Sequence, residues 1–387
     1  MDPASYSVRS VIKRFYSSWS RGRKLRADVQ RAATRITQCR TSRLGAHVER
    51  CQCGHICHIK YNSCRHRSCP QCQGGRRAEW LERTTSQLLP CAHAHIIFTV
   101  PEQLNIFWQF NRSSFADLLM LAARRTIEKL LADPAHLGAK PGIISVLHTW
   151  GRNLSIHPHV HCLVTAGGVD TDGRFVQPKK SILVPGRMLR SVFRGVLCDY
   201  LRRAVRTGEL VVPPRLTAAR SVSLFNRLGR SDWNARIQES YRHGVSVAGY
   251  LARYVCGSPI SGRRIERVDA DQVVFRYRDH RDGQEKRMPL TPHDFLSRWF
   301  EHVPPRGLRM IRRSGLYANS CAGIRTRICN QLASAAPEAT AAATRVSRLD
   351  PEECPLCNTA VVTRVVSRPS VPVFHVLRRP VALTRPP

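Results

Sequence analysis

Six cysteines lie within one 22-residue stretch, and this is the feature that most constrains how the chain folds. Cysteines so closely spaced hold either disulfides or a metal ion. The start of the chain is basic and polar and has no apolar signal segment, so we expect a reducing, cytoplasmic compartment. In that compartment, close cysteine pairs are typical of zinc ligands.

Two groups of ligands separated by a loop predict one four-coordinate structural zinc site. The first group is Cys51-x-Cys53, and the second is Cys64 with the regular C-x2-C pair Cys69-Pro-Gln-Cys72. The turn of such a pair lets both thiolates converge on one ion. The ligand set stays open because other side chains of the block compete for it: His47, His55, Cys57, His58 and His66. The alternative is a cluster of free buried thiols.

The charge of the chain indicates a polyanionic partner. Among 387 residues, 62 Lys and Arg face 27 Asp and Glu, a formal charge of +35. So large a surplus repels itself unless polyanions neutralise it, and nucleic acid is the first candidate. Codon bias toward arginine is the alternative, since only eight of the basic residues are lysine. A hydrophobic content of 42% excludes a disordered chain, and no apolar run is long enough to predict a membrane span.

Composition and periodicity divide the chain into five parts. We predict a basic helical segment (1–45), the zinc-binding module (46–76), a mixed domain (77–265), a basic hairpin and helix region (266–330), and a linker with a weakly folded tail (331–387). Within them, patterns predict strands at 92–100, 143–150 and 155–165, helices at 78–89, 103–131, 187–207, 246–256 and 294–301, and a hairpin at 272–290. The fold class is therefore α+β, with an N-terminal zinc module and a central antiparallel sheet flanked by helices.

The strand at 155–165 carries three alternating histidines, His157, His159 and His161. Alternate residues of a strand share a face, so these imidazoles point the same way while Val160 faces the core. Neighbouring members lie about 6.6 Å apart along the strand, which lets two of them reach one ion. His159 and His161 form the better pair, and incidental histidines on a polar face are the alternative.

The helix at 246–256 carries Tyr250 and Tyr254, four residues apart and therefore on one face. Taken alone, such a pair is more typical of packing than of catalysis. Its place after a histidine strand in a basic chain favours a catalytic role.

The order of these motifs resembles the HUH endonucleases, the fold of rolling-circle initiators and relaxases. The three motifs of that fold correspond here to Phe98-Thr99-Val100, His159-Val160-His161 and the Tyr-x3-Tyr helix. Three further features resemble a narrower group, the two-tyrosine transposases of rolling-circle insertion sequences, family ninety-one, which have an N-terminal zinc-binding domain. These features are the cysteine block with Tyr61-Asn-Ser-Cys64, the segment Leu147-His-Thr-Trp-Gly151 and the segment Pro259-Ile-Ser261. Two features depart from that pattern, the Cys51-x-Cys53 spacing and Asn358 after Cys354-Pro-Leu-Cys357.

The resemblance implies a transposase that cuts and rejoins single-stranded DNA at the ends of its element through a 5′-phosphotyrosine. Tyr250 and Tyr254 would be the nucleophiles, in an order that stays open. A Mg²⁺ or Mn²⁺ ion on His159 and His161 would polarise the scissile phosphate. The hairpin favours His148 as third ligand, while His157 or a residue near the tyrosine helix is the alternative.

Several arginines are candidates for DNA contacts, and each is equally compatible with a solvated surface position. They are Arg253, Arg263, Arg264, Arg65 and Arg67. Trp150 and Trp233 are candidates for stacking on bases or for the core. Two other functions stay open: a non-catalytic zinc-dependent DNA-binding protein, and a replication initiator or relaxase. The expected location is the bacterial cytoplasm, in association with the nucleoid, and the oligomeric state is not predicted.

Overall fold

The computed structural model describes residues 6–178, 183–241, 244–255, 258–279, 282–334, 356–357 and 363–367. The N-terminal part contains α1 (Val8–Ser20), α2 (Ala27–Gln38), β1 (Ala46–Arg50), β2 (Ile56–Tyr61) and α3 (Gln73–Thr85). The central part contains β3 (His93–Thr99), α4 (Asn105–Phe110), α5 (Arg112–Ala132), β4 (Lys140–Trp150), β5 (Ile156–Val169), β6 (Phe175–Val176), α6 (Gly186–Arg206), α7 (Ala218–Leu228), β7 (Ala235–Tyr241) and α8 (Val245–Val255). The remainder contains β8 (Ile265–Val268), β9 (Val273–Arg278), β10 (Glu285–Leu290), α9 (Pro292–Glu301), β11 (Ile311–Gly315), α10 (Ala322–Ser334) and β12 (Thr363–Ser367).

A six-stranded antiparallel sheet forms the centre of the molecule, in the order β11-β4-β5-β3-β7 with β6 paired to β5. The three strands predicted at 92–100, 143–150 and 155–165 are its middle strands. The edge strands β7 and β11 were not predicted, because both are rich in polar and charged residues and lack an apolar run. The predicted α+β class with a central antiparallel sheet and flanking helices is confirmed.

The two faces of this sheet have different partners. Ile96 and Phe98 of β3 and Val160 of β5 point into the larger core, which they share with α4 to α7. The other face carries Ile144 and Leu163 against Val247 and other residues of α8, α3 and α10. Strand alternation therefore sends β3 residues 93, 95 and 97 toward the α8 side.

A second core joins the N-terminal helices to residues 260–303. Helices α1 and α2 pack with α9 and the three-stranded sheet β10-β9-β8, and the rings of Trp19 and Phe300 stack at 4.9 Å. The predicted division separates 1–45 from 266–330, whereas these segments share one core. The apolar face of this sheet has to be buried, and the amphipathic helices cover it. β11, which the division places with 266–330, belongs instead to the central sheet.

Part of the predicted weakly folded tail is paired. β12 forms an antiparallel pair with β1 from Ala46↔Ser367 to Arg50↔Thr363, which adds a third strand to β1 and β2. Main-chain hydrogen bonds supply this pairing, so the Val/Pro/Arg composition of the tail does not reveal it. Among the described helices, none is both long and apolar enough to cross a bilayer.

Candidate active site and metal centres

Three histidines from two neighbouring strands meet on the face of the central sheet that α8 covers. His148 of β4 lies opposite His159 of β5, and His161 follows two residues later on the same face. Nδ1 of His148 is 3.2 Å from Nε2 of His159. The ligand nitrogens of all three lie within 4.8 Å of one another. The structure thus brings His148 to the predicted pair, whereas His157 is exposed and outside this group.

The hairpin that joins β4 and β5 is anchored in the second core. Leu154 at its tip is buried there, and its carbonyl accepts a hydrogen bond of 3.1 Å from Nε2 of His302. Burial lowers the pKa of His302 to about 4, so this ring is neutral and its Nδ1 accepts from Thr149 Oγ1 at 3.3 Å. Because Thr149 follows His148 directly, these contacts fix the end of β4 that carries the first histidine.

Hydrogen bonds orient two of the three imidazoles. Nδ1 of His159 donates to the carbonyl of His157 at 2.6 Å, which leaves the lone pair on Nε2, the nitrogen that faces His148. Nδ1 of His161 lies 2.9 Å from Nε2 of His95 on β3, so Nε2 of His161 is the nitrogen directed away from that bond. A metal-binding histidine commonly makes such a bond through its other ring nitrogen.

Burial keeps two of the three histidines neutral. It lowers the pKa of His161 to about 2, with the neighbouring His159 and His95 adding to the effect. The pKa of His148 is likewise lowered well below its ordinary value, chiefly by complete burial. Neutral imidazole is the form that binds a metal ion.

The donor set fits a divalent cation. When two nitrogens bind one ion at metal–nitrogen distances of about 2.1 Å, the nitrogens lie about 3.0–3.4 Å apart for nitrogen–metal–nitrogen angles between about 90° and 109°. The 3.2 Å between the nitrogens of His148 and His159 lies in that range. Three imidazole nitrogens leave part of a divalent ion's coordination sphere for oxygen ligands, which Mn²⁺ and Mg²⁺ accept.

Tyr250 lies beside the histidines. α8 packs against β4, β5 and α3 through its own residues Val247 and Leu251, which are buried. The ring of Tyr250 is centred 6.0 Å from that of His161 and 5.2 Å from that of His95. The backbone of Tyr254 and Arg253 belongs to the same helix, and their side chains lie outside the part of the chain that the structure describes.

Two further side chains border this site. Trp150 is half-buried, and its ring stacks on His148 at 5.2 Å with an interplanar angle of 15°. Arg236 of β7 lies opposite Ile97 on β3 and is exposed, close enough for its charge to lower the pKa of His161 further. In contrast, Trp233 is buried in the larger core and donates to the carbonyl of Leu228, so it belongs to the packing.

A first cysteine cluster joins the end of α2 to the start of α3. It consists of Cys39, Cys64, Cys69 and Cys72, whose sulfurs lie within 4.8 Å of one another. The Sγ atoms of Cys39 and Cys72 are 3.3 Å apart, and those of Cys64 and Cys72 are 3.6 Å apart. The backbone N–H of His66 donates to Cys64, which is the support that a zinc knuckle gives its thiolate. Four thiols in a buried site match structural zinc.

The predicted zinc ligand set is therefore corrected. Cys64, Cys69 and Cys72 do lie together, but the fourth member is Cys39, not Cys51 or Cys53. Those two lie at the turn between β1 and β2, in a separate group with Cys357. The short Cys51-x-Cys53 spacing belongs to that tight turn, and Cys354 lies outside the described residues.

The candidate DNA-binding arginines are in different situations. Arg65 and Arg263 are exposed. Arg67 is exposed as well but donates to the carbonyl of Leu308 at 2.9 Å. Arg264 donates to two backbone carbonyls, those of Arg276 and Arg152, so its guanidinium supports the fold near the hairpin.

Sequence reasoning missed three residues of these centres. The sequence does contain a signal for His95, because in His93-Ala-His95 two histidines alternate along a predicted strand and therefore share one face of the sheet. Cys357 had a local indication in the pair Cys354-Pro-Leu-Cys357, but its partners lie about 300 positions earlier in the sequence, and Cys39 had no local indication because it lies outside the cysteine block.

Two family models match the chain, and together they span most of its described residues. A family model described as a putative transposase matches residues 142–323, and one described as a transposase zinc-binding domain matches residues 11–100. The first range contains His148, His159, His161 and Tyr250, and the second contains the Cys39 cluster.

Two curated relatives cover most of the chain. The putative transposase y4qJ of Sinorhizobium fredii is 35% identical over 320 residues, 81% of this chain and 80% of the relative. The transposase for insertion sequence element IS801 of Pseudomonas savastanoi pv. phaseolicola is 32% identical over 345 residues, 85% of this chain and 82% of the relative. No solved structure matches the chain significantly.

Proposed function

Because this chain belongs to the IS91 family of transposases with an N-terminal zinc-binding domain, we propose that it cuts and rejoins single-stranded DNA at the ends of its element with Tyr250 as a nucleophile. One observation carries the proposal. The ring of Tyr250 lies 6.0 Å from His161, one of three histidines whose ligand nitrogens converge within 4.8 Å.

The reaction exchanges one phosphodiester for another. The phenolic oxygen of Tyr250 attacks the scissile phosphorus and loses its proton, a 5′-phosphotyrosine bond forms, and the bond to the 3′-oxygen breaks, leaving a 3′-hydroxyl. The phosphotyrosine retains the energy of the broken bond, so a later 3′-hydroxyl can attack it and rejoin the strand without another energy source. His148, His159 and His161 would hold a divalent ion, Mn²⁺ or Mg²⁺, which when bound would supply positive charge at the scissile phosphate and at the departing oxygen.

The other predicted residues have supporting roles in this proposal. Tyr254 lies four residues after Tyr250 on the same helix and serves as the second nucleophile, which rolling-circle transposition needs at the second junction. Phosphate contacts are assigned to Arg236, which is exposed and close to His161, and to the exposed Arg65 and Arg263. The protein would act on the chromosome in the bacterial cytoplasm.

The test is a cleavage assay on a labelled single-stranded oligonucleotide from the flank of the gene, with Mn²⁺ or with EDTA. We expect a nick only with Mn²⁺, and mass spectrometry should find DNA attached to Tyr250 or Tyr254. Replacing His148 or His159 by Ala should abolish nicking while DNA binding stays within about two-fold, because phosphate contacts dominate affinity.

A matched variant separates the chemical role of Tyr250 from its packing. Tyr250→Phe keeps the ring against His95 and removes only the hydroxyl, so the adduct at this position should disappear. Tyr200→Phe, on α6 at the opposite face of the sheet, is the control and should nick at the wild-type rate. Full nicking by a Tyr250→Phe, Tyr254→Phe double variant would refute the proposed chemistry.

A further inference from the structure

Three of the cysteines that the first cluster leaves out form a group of their own. Cys51 and Cys53 lie at the turn between β1 and β2, and Cys357 reaches them from a position 306 residues after Cys51. The Sγ atoms of Cys51 and Cys357 are 3.0 Å apart, and the three sulfurs lie within 4.8 Å of one another.

The local backbone presents two of these thiols together. The N–H of Cys51 donates to the carbonyl of His55 at 2.9 Å, and that of Gly54 donates to the carbonyl of Cys51 at 3.0 Å. Gly54 has φ of +85°, a left-handed conformation that glycine adopts without steric cost. This tight turn folds Cys53 back beside Cys51, which itself is only 3% exposed.

The third thiol arrives with β12. That strand pairs with β1 so that Thr363 faces Arg50, the residue next to Cys51. Cys357 precedes β12 by six residues, so the strand pairing returns it to the turn that carries Cys51 and Cys53. Two independent features, the β12–β1 register and the thiol convergence, therefore join the same two segments.

A soft cation explains this convergence better than a disulfide does. A disulfide joins two sulfurs at about 2.05 Å and would leave the third cysteine of the group unused. Thiolates brought this close repel one another unless a cation neutralises them, and thiolate ligands select Zn²⁺ among the common divalent metals.

We propose that Cys51, Cys53 and Cys357 bind a second Zn²⁺, which fastens the C-terminal segment onto the β1–β2 strand pair. The site is separate from the Cys39 cluster and does not depend on the proposed DNA chemistry. Because one ligand comes from the far end of the chain, the three-stranded sheet β12-β1-β2 is completed only after synthesis of that end. A metal that closes so long a loop also restricts the unfolded chain strongly.

The test counts thiol-bound zinc in the full-length chain, purified under reducing conditions. Zinc released by a mercurial reagent reports ions held by thiolates and leaves out ions held by imidazoles. We expect two equivalents for the wild type, one for Cys357→Ser and one for Cys39→Ser, which lose different sites. The control is Cys329→Ser, which changes a half-buried cysteine of α10 outside both groups and should keep two equivalents.

A second measurement follows the C-terminal segment itself. Hydrogen exchange at residues 363–367 should accelerate at least ten-fold in Cys357→Ser and stay at the wild-type rate in Cys39→Ser. Two thiol-bound equivalents in Cys357→Ser would overturn the proposal. So would a Cys51–Cys357 disulfide in the peptide map of the alkylated, unreduced wild-type protein.

Discussion

His95 offers the sharpest test of how the histidine site is built. Its Nε2 lies 2.9 Å from Nδ1 of His161, and both rings are buried, at 2% and 4% exposure. When Nε2 of His161 binds the ion, its Nδ1 carries the proton and donates to His95. The variant His95→Ala removes the acceptor and leaves a buried N–H without its partner.

The expected loss of metal affinity follows from the hydrogen bond between His95 and His161. Loss of a hydrogen bond to a metal-binding histidine weakens metal affinity about 10–100-fold, or about 1.4–2.7 kcal/mol. The assay is titration with Mn²⁺, in which the electron paramagnetic resonance signal reports the free ion. The thiolate clusters contribute little to this measurement, because Mn²⁺ prefers oxygen and imidazole ligands.

His93 is the matched control for this experiment. It is also a buried histidine of β3, but its Nε2 bonds the hydroxyl of Tyr317 at 2.6 Å, away from the metal site. His93→Ala should lower stability and leave the Mn²⁺ affinity within about two-fold. An unchanged affinity in His95→Ala, or an equal loss in both variants, would refute the assignment of His95 as the residue that orients His161.

Three other predictions concern charge and stability. With a net charge of +35, log K for single-stranded DNA should fall steeply with log[salt], at about 0.7 per phosphate contacted, and a flat dependence would contradict phosphate-dominated binding. Gly315→Ala should cost about 2–5 kcal/mol in urea unfolding, because φ is +58° and the added Cβ would meet the carbonyl of Pro141; unchanged stability would contradict that contact. His302 has a pKa of about 4 in the folded state and near 6.5 in the unfolded state, so the unfolded chain binds the proton first as the pH falls. Protonation of His302 should therefore lower the free energy of unfolding by up to about 3 kcal/mol between pH 6.5 and pH 4. His302→Gln, compared with the wild type across that range, should show a shallower loss, and parallel curves would exclude the histidine as the cause.

The strand that carries the histidines shows what local sequence determines well. The period of a β-strand is set by covalent geometry, so the alternation of His159, Val160 and His161 predicts which side chains share a face. The structure has Val160 in the larger core and both histidines on the α8 side. The hairpin also predicted His148 opposite this pair, because a short connection between antiparallel strands limits the register.

The zinc ligands show where local sequence is insufficient. Cys64, Cys69 and Cys72 share one loop, and their spacing alone predicts a common ion. Cys39 joins them only because α2 packs on that loop in the second core. Spacing instead favoured Cys51 and Cys53, whose turn faces away toward the C-terminal segment.

Local sequence is sufficient to predict the α+β class, the central strands, the histidine pair and the tyrosine helix. Each of these depends on a period or spacing within one or two neighbouring elements, where backbone geometry controls the outcome, while the resemblance to transposases of insertion-sequence family ninety-one depends on the order of such motifs along the chain. Only the tertiary structure decided that His95 orients His161, that Cys39 completes one cysteine cluster, and that α1, α2 and α9 share a core. Those contacts join distant segments, and the burial of apolar surface selects them over the whole chain.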